Sequence, residues 1–156
     1  PRNTSLIVSS LLILLLLIRP AVDQGLQERL LFLDISWKMF FHNVLGVGIE
    51  NFTGVMQNYT NLELLPWNFQ PVHNAFLLVL NEMGFIGLVS FSALISYCFW
   101  LIFNRISDLI DRALLLSILC AICVFGLFDH YLISLHQGQA LLFLTFAMFA
   151  KYSYAR

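Results

Sequence analysis

The sequence predicts an all-α fold, a multi-pass transmembrane helical bundle of about four spans with a long outer-face loop containing an amphipathic helix. Composition is the first observation behind this. Hydrophobic residues make up 60% of the chain and charged residues 11%, with a mean hydropathy of +0.83, whereas a soluble domain carries about 25% charged residues. Size is the second. A water-soluble chain of 156 residues leaves about 30% of its unfolded surface exposed, which this composition cannot supply in polar form. The third is patterning, because the apolar residues fall in long runs separated by more polar segments. Lipid is therefore the expected solvent, with membrane lipids as partners.

The elements follow in order. A leucine-rich run at 5–18 lies between Arg2 and Arg19. At about 1.5 Å per residue it is shorter than a hydrocarbon core of about 30 Å. Its length suits a signal peptide, but Arg19-Pro20 follows instead of a small-residue cleavage site, so it reads as a span eked out by snorkelling arginines. The polar connection 19–74 comes next. Within it, Leu30, Leu33, Trp37, Phe40 and Phe41 recur at helical spacing over Gln27–His42, with Glu28, Asp34 and Lys38 elsewhere. This predicts an amphipathic helix lying on the membrane or against the spans. Gly46-Val47-Gly48 stops it, and Asn51–Pro71 reads as an ordered loop with Trp67 and Phe69 in an interfacial aromatic belt. Further spans are expected at 75–103, 113–128 and 138–152. Cys98, Cys120 and Cys123 fall inside these runs; with no polar neighbour to lower a thiol pKa, they read as buried small hydrophobes.

Charge supplies an orientation. With the N-terminus inside, the inner segments carry Arg2, Arg105, Arg112, Lys151 and Arg156, and the much longer outer segments only Arg19, Arg29 and Lys38. By the positive-inside rule the connection 19–74 lies outside, and His42, His73, His130 and His136 share that face. The net charge of −1 offers no basic field for nucleic acid.

The chemistry concentrates in Pro71-Val72-His73-Asn74 and the Gly84-Phe85-Ile86-Gly87 that follows nine residues later. On a helix starting near Asn74, positions 73, 77, 80, 84 and 87 form one stripe, and its two glycines would admit a neighbouring helix closely. His73 would sit at the outer mouth of that seam, where an imidazole can serve as a general base near neutral pH. Glu82 is a carboxylate inside an apolar run, costly unless functional or paired. Asp129-His130 forms a second polar cluster, with His136 and Gln137 nearby.

His-Asn, nine residues, then Gly-x-x-Gly resembles the hallmark of O-antigen ligases and the related O-antigen polymerases and protein O-oligosaccharyltransferases. His73-Asn74-x-x-Leu77 resembles the family's "HN-x-x-L" and Glu82-x-Gly84 its "E-x-G". Upstream, Glu28-Arg29, Trp37 and Gly46-Val47-Gly48-x-x-Asn51-Phe52 resemble its "R…W…G-V-G…N-F" lead-in. The proline that often precedes the family's G-V-G is replaced here by Asn43-Val44-Leu45. The resemblance covers roughly 26–100. It implies glycosyl transfer from an undecaprenyl-diphosphate-linked glycan to a hydroxyl of a glycan, lipid A-core or protein acceptor, on the outer face of the bacterial inner membrane. It also implies no metal and no cofactor. By the same resemblance His73 acts as general base and Arg29 meets the diphosphate, with Asn74, Glu82, Asp129 and His130 as substrate-binding candidates. Family members have about ten or more spans, so this chain would be a C-terminal part, and a second functional arginine would lie upstream, with Arg19 as a substitute candidate.

A different class of protein, a non-enzymatic membrane subunit or polysaccharide exporter component, would need polar residues along the span centres. The spans offer few, with Ser90, Ser92 and Ser96 in the second and Ser117 in the third, and no mid-span charged ladder of the kind ion pathways use.

Overall fold

The computed structural model describes residues 24–153. Among them the structure is helical throughout, with no strand. Helix α1 spans 24–42; a short α2, Phe52–Val55, and 3-10 turns at Met56–Tyr59 and Pro66–Asn68 follow. The long α3, Ala75–Asn104, and α4, Leu109–Phe128, form a hairpin; the short α5, Tyr131–Ser134, and α6, His136–Ser153, complete the chain. Of these helices, α3 and α4 are long and apolar enough to cross a membrane. The run at 5–18 lies outside the described residues. The apolar segment expected at 138–152 does form a helix, α6.

Local chemistry explains the boundaries. Asn74 caps α3 by accepting from the Leu77 amide at 2.9 Å. Asp108 caps α4 by accepting from the amides of Ile110 and Asp111, both at 2.9 Å. That cap starts α4 four residues before the expected apolar run, because a helix begins where its first amides find an acceptor rather than where lipid begins.

The connection between the first two expected spans is more structured than a loop. Phe32, Ile35, Ser36 and Met39 form the buried face of α1 and pack with Phe52, Met56, Leu64, Val72 and Leu78. The expected stripe is thus corrected by about 140° around the helix, since Leu30, Trp37 and Phe41 are exposed. The helix is apolar on two sides, and hydrophobic spacing alone does not rank them. Asn81, fully buried in α3, donates to Ser36 Oγ at 2.6 Å and pins α1 to the hairpin.

The single stripe through 73, 77, 80, 84 and 87 is also corrected. Gly84 adopts φ 71° and ψ −172° and breaks α3, in a backbone region open essentially to glycine alone. No helix fills the space beside it; the segment after α1 does. In a regular helix the Phe85 amide would bond the Asn81 carbonyl. Here Phe85 N donates to Val44 O at 3.0 Å, and Val47 N supplies the Asn81 carbonyl at 2.8 Å. Gly48 N serves the Glu82 carbonyl at 3.0 Å. Gly46, at φ 91°, lies so close that a Cβ there would stand 2.6 Å from Gly84 N, and a Cβ on Gly84 would collide with the Leu45 backbone. The Phe85 amide and the Asn81 and Glu82 carbonyls at the break in this apolar helix are thereby each given a partner.

The break has a geometric effect. A straight 30-residue helix would run about 45 Å, against about 30 Å for the 20 residues of α4. Yet α3 and α4 meet at both ends, through the turn at 105–108 and through Asn74 Nδ2 donating to Leu127 O at 3.0 Å. The bend at Gly84 absorbs the difference and brings the start of α3 over the end of α4. Of the cysteines, Cys98 is buried as expected, whereas Cys120 is exposed on the outer side of α4.

Candidate functional site: a histidine–aspartate–histidine cluster beside Arg29

The end of the hairpin where α3 begins and α4 finishes gathers most of the residues singled out from the sequence. His73 precedes the Asn74 cap, and Asp129 and His130 follow the last turn of α4. Residues more than fifty positions apart in sequence are thus drawn together by the Asn74–Leu127 hydrogen bond. His73 Nδ1 lies 3.7 Å from Asp129 Oδ1, and His130 Nε2 lies 3.9 Å from the same oxygen. The two imidazole rings are 5.3 Å apart.

Each member is held from behind. Phe32 of α1 lies against His73, ring centres 6.1 Å apart. Asp129 Oδ1 accepts from the His130 amide at 2.7 Å. The Ser134 hydroxyl lies 2.6 Å from His130 Nδ1 and 3.3 Å from the His130 carbonyl. When it donates to the carbonyl and accepts from Nδ1, the neutral ring keeps a lone pair on Nε2, toward Asp129. Burial holds the His130 pKa below the ordinary histidine value, which Asp129 opposes and His73 reinforces. His73 Nδ1 is buried and has no hydrogen-bond partner.

Arg29 joins the cluster from α1. Its Nη1 donates to Phe128 O at 3.2 Å, at the negative end of α4, leaving its remaining donors for an anion. Arg29, His73 and Asn74 line one cavity of about 270 Å³, walled by Leu26, Leu30, Leu33 and Phe128. The structure therefore brings the expected arginine and the expected histidine to a single opening.

Asn74 and Glu82 are placed differently. Both ends of the Asn74 carboxamide are engaged, Oδ1 with Leu77 N and Nδ2 with Leu127 O, so it sets the position of its neighbour His73. Glu82 lines a separate cavity of about 200 Å³ with Glu50, Thr53, Ser134 and Gln139, and its carboxylate accepts from Phe52 N at 3.4 Å. His42 bonds the Lys38 carbonyl one turn back, and His136 is exposed at the start of α6. Ser134, Ser36 and Asn81 went unremarked in the sequence reading. The signal for Asn81 was there, a fully polar residue in an apolar run, whereas nothing local marks Ser134.

A half-buried carboxylate between two imidazoles, next to a cationic opening, can orient a base, hold a proton or bind a cation. No protein-family model matches this chain, and no curated protein or solved structure is significantly similar to it.

Proposed function

We propose that this chain carries the acceptor-activating part of an integral-membrane glycosyltransferase that uses a lipid-diphosphate-linked glycan, of the O-antigen ligase or polymerase type. The observation that carries the reading is the convergence of His73 and Arg29 on one opening, with Asp129 of a third stretch of chain 3.7 Å from His73 Nδ1. Asp129 faces His73 Nδ1, favouring the tautomer with hydrogen on that nitrogen and leaving Nε2 as the base. The 3.7 Å separation is that of an ion pair; catalytic hydrogen bonds commonly tighten when substrate binds.

In the proposed step, His73 Nε2 takes the proton of the acceptor hydroxyl as its oxygen bonds the anomeric carbon. The bond from that carbon to the diphosphate oxygen breaks, and undecaprenyl diphosphate leaves with the electron pair. Arg29 lies where negative charge grows on the leaving phosphate, and its planar fork suits phosphate oxygens. The remaining donor contacts belong to spans and a second arginine outside this segment. In this reading the chain spans the bacterial inner membrane several times, with α3 and α4 among the spans and the histidine cluster on the outer face. The basic residues Arg105 and Arg112 at the opposite end of the hairpin support that orientation.

Replacing His73 by Ala in the full-length protein should lower glycan transfer by about 10²–10⁴-fold, the usual contribution of a positioned base, with membrane levels of the protein unchanged. Wild-type transfer rates in a complementation assay or with purified lipid-linked donor would sink the assignment.

A further inference from the structure

His73, Asp129 and His130 each offer one donor atom, and these atoms lie within 4.8 Å of one another. What sets them apart from an ordinary polar cluster is the direction of their lone pairs. The Asp129 carboxylate supplies one; His130 Nε2 supplies a second in the tautomer whose Nδ1 donates to Ser134. His73 Nδ1, buried and without a hydrogen-bond partner, completes the set in the tautomer that carries its hydrogen on Nε2. In that tautomer three lone pairs face one small space and repel one another unless something positive sits among them. A shared proton satisfies two of them. A metal cation satisfies all three.

We propose that His73 Nδ1, Asp129 Oδ1 and His130 Nε2 form a binding site for a divalent transition-metal ion of the zinc class, and that the bound ion switches His73 off as a base. Two imidazoles and one carboxylate are borderline donors that suit Zn²⁺ over Mg²⁺ or Ca²⁺, which prefer oxygen shells. Tetrahedral zinc bonds of about 2.0–2.2 Å put neighbouring donors about 3.3–3.5 Å apart. The observed 3.7 and 3.9 Å from Asp129 need closure of a few tenths of an ångström, and the two imidazole nitrogens, within 4.8 Å of one another, need closure of up to about 1.3 Å. The Ser134 contact to the far nitrogen of His130 is the kind of outer hydrogen bond that holds a ligating imidazole in its tautomer.

The consequence for His73 follows from its ring, and this clause rests on the proposed transferase reading. An imidazole that gives its Nδ1 lone pair to a metal carries its hydrogen on Nε2, the atom that would otherwise accept the acceptor's proton. Metal and substrate chemistry thus exclude one another at one residue, so zinc acts as an inhibitor rather than a cofactor.

The test uses the full-length protein in detergent micelles, with Zn²⁺ binding measured by competition with a chromophoric chelator. Co²⁺ serves as a second probe, its visible absorption reporting nitrogen and oxygen ligation. One ion per chain is expected, weakened at least about tenfold in the near-isosteric Asp129→Asn and in His130→Ala. Ser134→Ala should weaken it by about 10–100-fold, as loss of an outer-shell partner does. Absence of stoichiometric binding at micromolar Zn²⁺, or binding indifferent to all three substitutions, overturns the site. Transfer that continues undiminished in zinc-loaded protein overturns the switch. A metal-free wild-type protein without transfer activity would refute the transferase reading and the switch that rests on it, and would leave the metal site standing, since the binding measurement does not depend on activity.

Discussion

Arg29 illustrates how much one side chain's surroundings alter its meaning. On the amphipathic pattern of α1 it is one charged residue among several. In the fold its guanidinium reaches the Phe128 carbonyl at 3.2 Å and lines the opening that holds His73. If the guanidinium also meets phosphate, Lys is not an adequate replacement, because a point charge cannot serve the carbonyl and two phosphate oxygens in one plane. Arg29→Lys should therefore lower kcat/KM for the lipid-linked donor by roughly tenfold or more, about 1.4 kcal/mol of transition-state stabilisation. An unchanged kcat/KM would remove Arg29 from the site and leave it as the anchor of α1 to α4. The roles of His73 and Asn74 divide in a similar way. Their adjacency is visible in the chain, but only the two hydrogen bonds of the Asn74 carboxamide show that it positions its neighbour.

Among the elements, the break in α3 is the feature on which most else depends. Gly84 holds a conformation other residues avoid, and the segment 44–48 exchanges hydrogen bonds with the opened turn. Gly84→Ala should cost about 1–3 kcal/mol from backbone strain alone, and the collision with Leu45 adds to that. A drop in thermal midpoint, or loss of protein from the membrane, is the expected readout. Gly25→Ala is the control: a methyl there meets nothing within 4 Å, and alanine in a helix is favoured over glycine by about 0.5–1 kcal/mol. Equal stability of the two variants would show that the interlock with Gly46 carries no weight. The glycine pair was legible as a motif, and so was the need for a close neighbour. That the neighbour is a loop was not, because the pairing joins residues some forty positions apart and leaves no periodicity to read.

Taken as a whole, the molecule places its chemistry at one end of the α3–α4 hairpin and its basic turn at the other. With Cys98, Cys120 and Cys123 replaced by Ser, a cysteine at position 67 should react with a membrane-impermeant maleimide in intact cells. A cysteine at position 107 should react only after permeabilisation. Trp67 is exposed in the segment before His73, and Ser107 in the turn between α3 and α4, so each probe samples one end. Labelling of both from outside would exclude a membrane crossing by the hairpin; the reverse pattern would put the histidine cluster inside the cell.

Composition and periodicity were enough to read an all-helical chain, the two helices long and apolar enough to cross a membrane, Ala75–Asn104 and Leu109–Phe128, and the helix before them. These follow from local properties, the length of an apolar run and the capping residue that opens it. The meeting of His73 with Asp129 and His130, the orientation of α1 and the break at Gly84 were settled only by the fold. Each depends on contacts between distant segments, such as Asn74 with Leu127, Ser36 with Asn81 and Val44 with Phe85. Local spacing is set by the helical repeat within a segment, so it carries no information about which segments the packing will bring together.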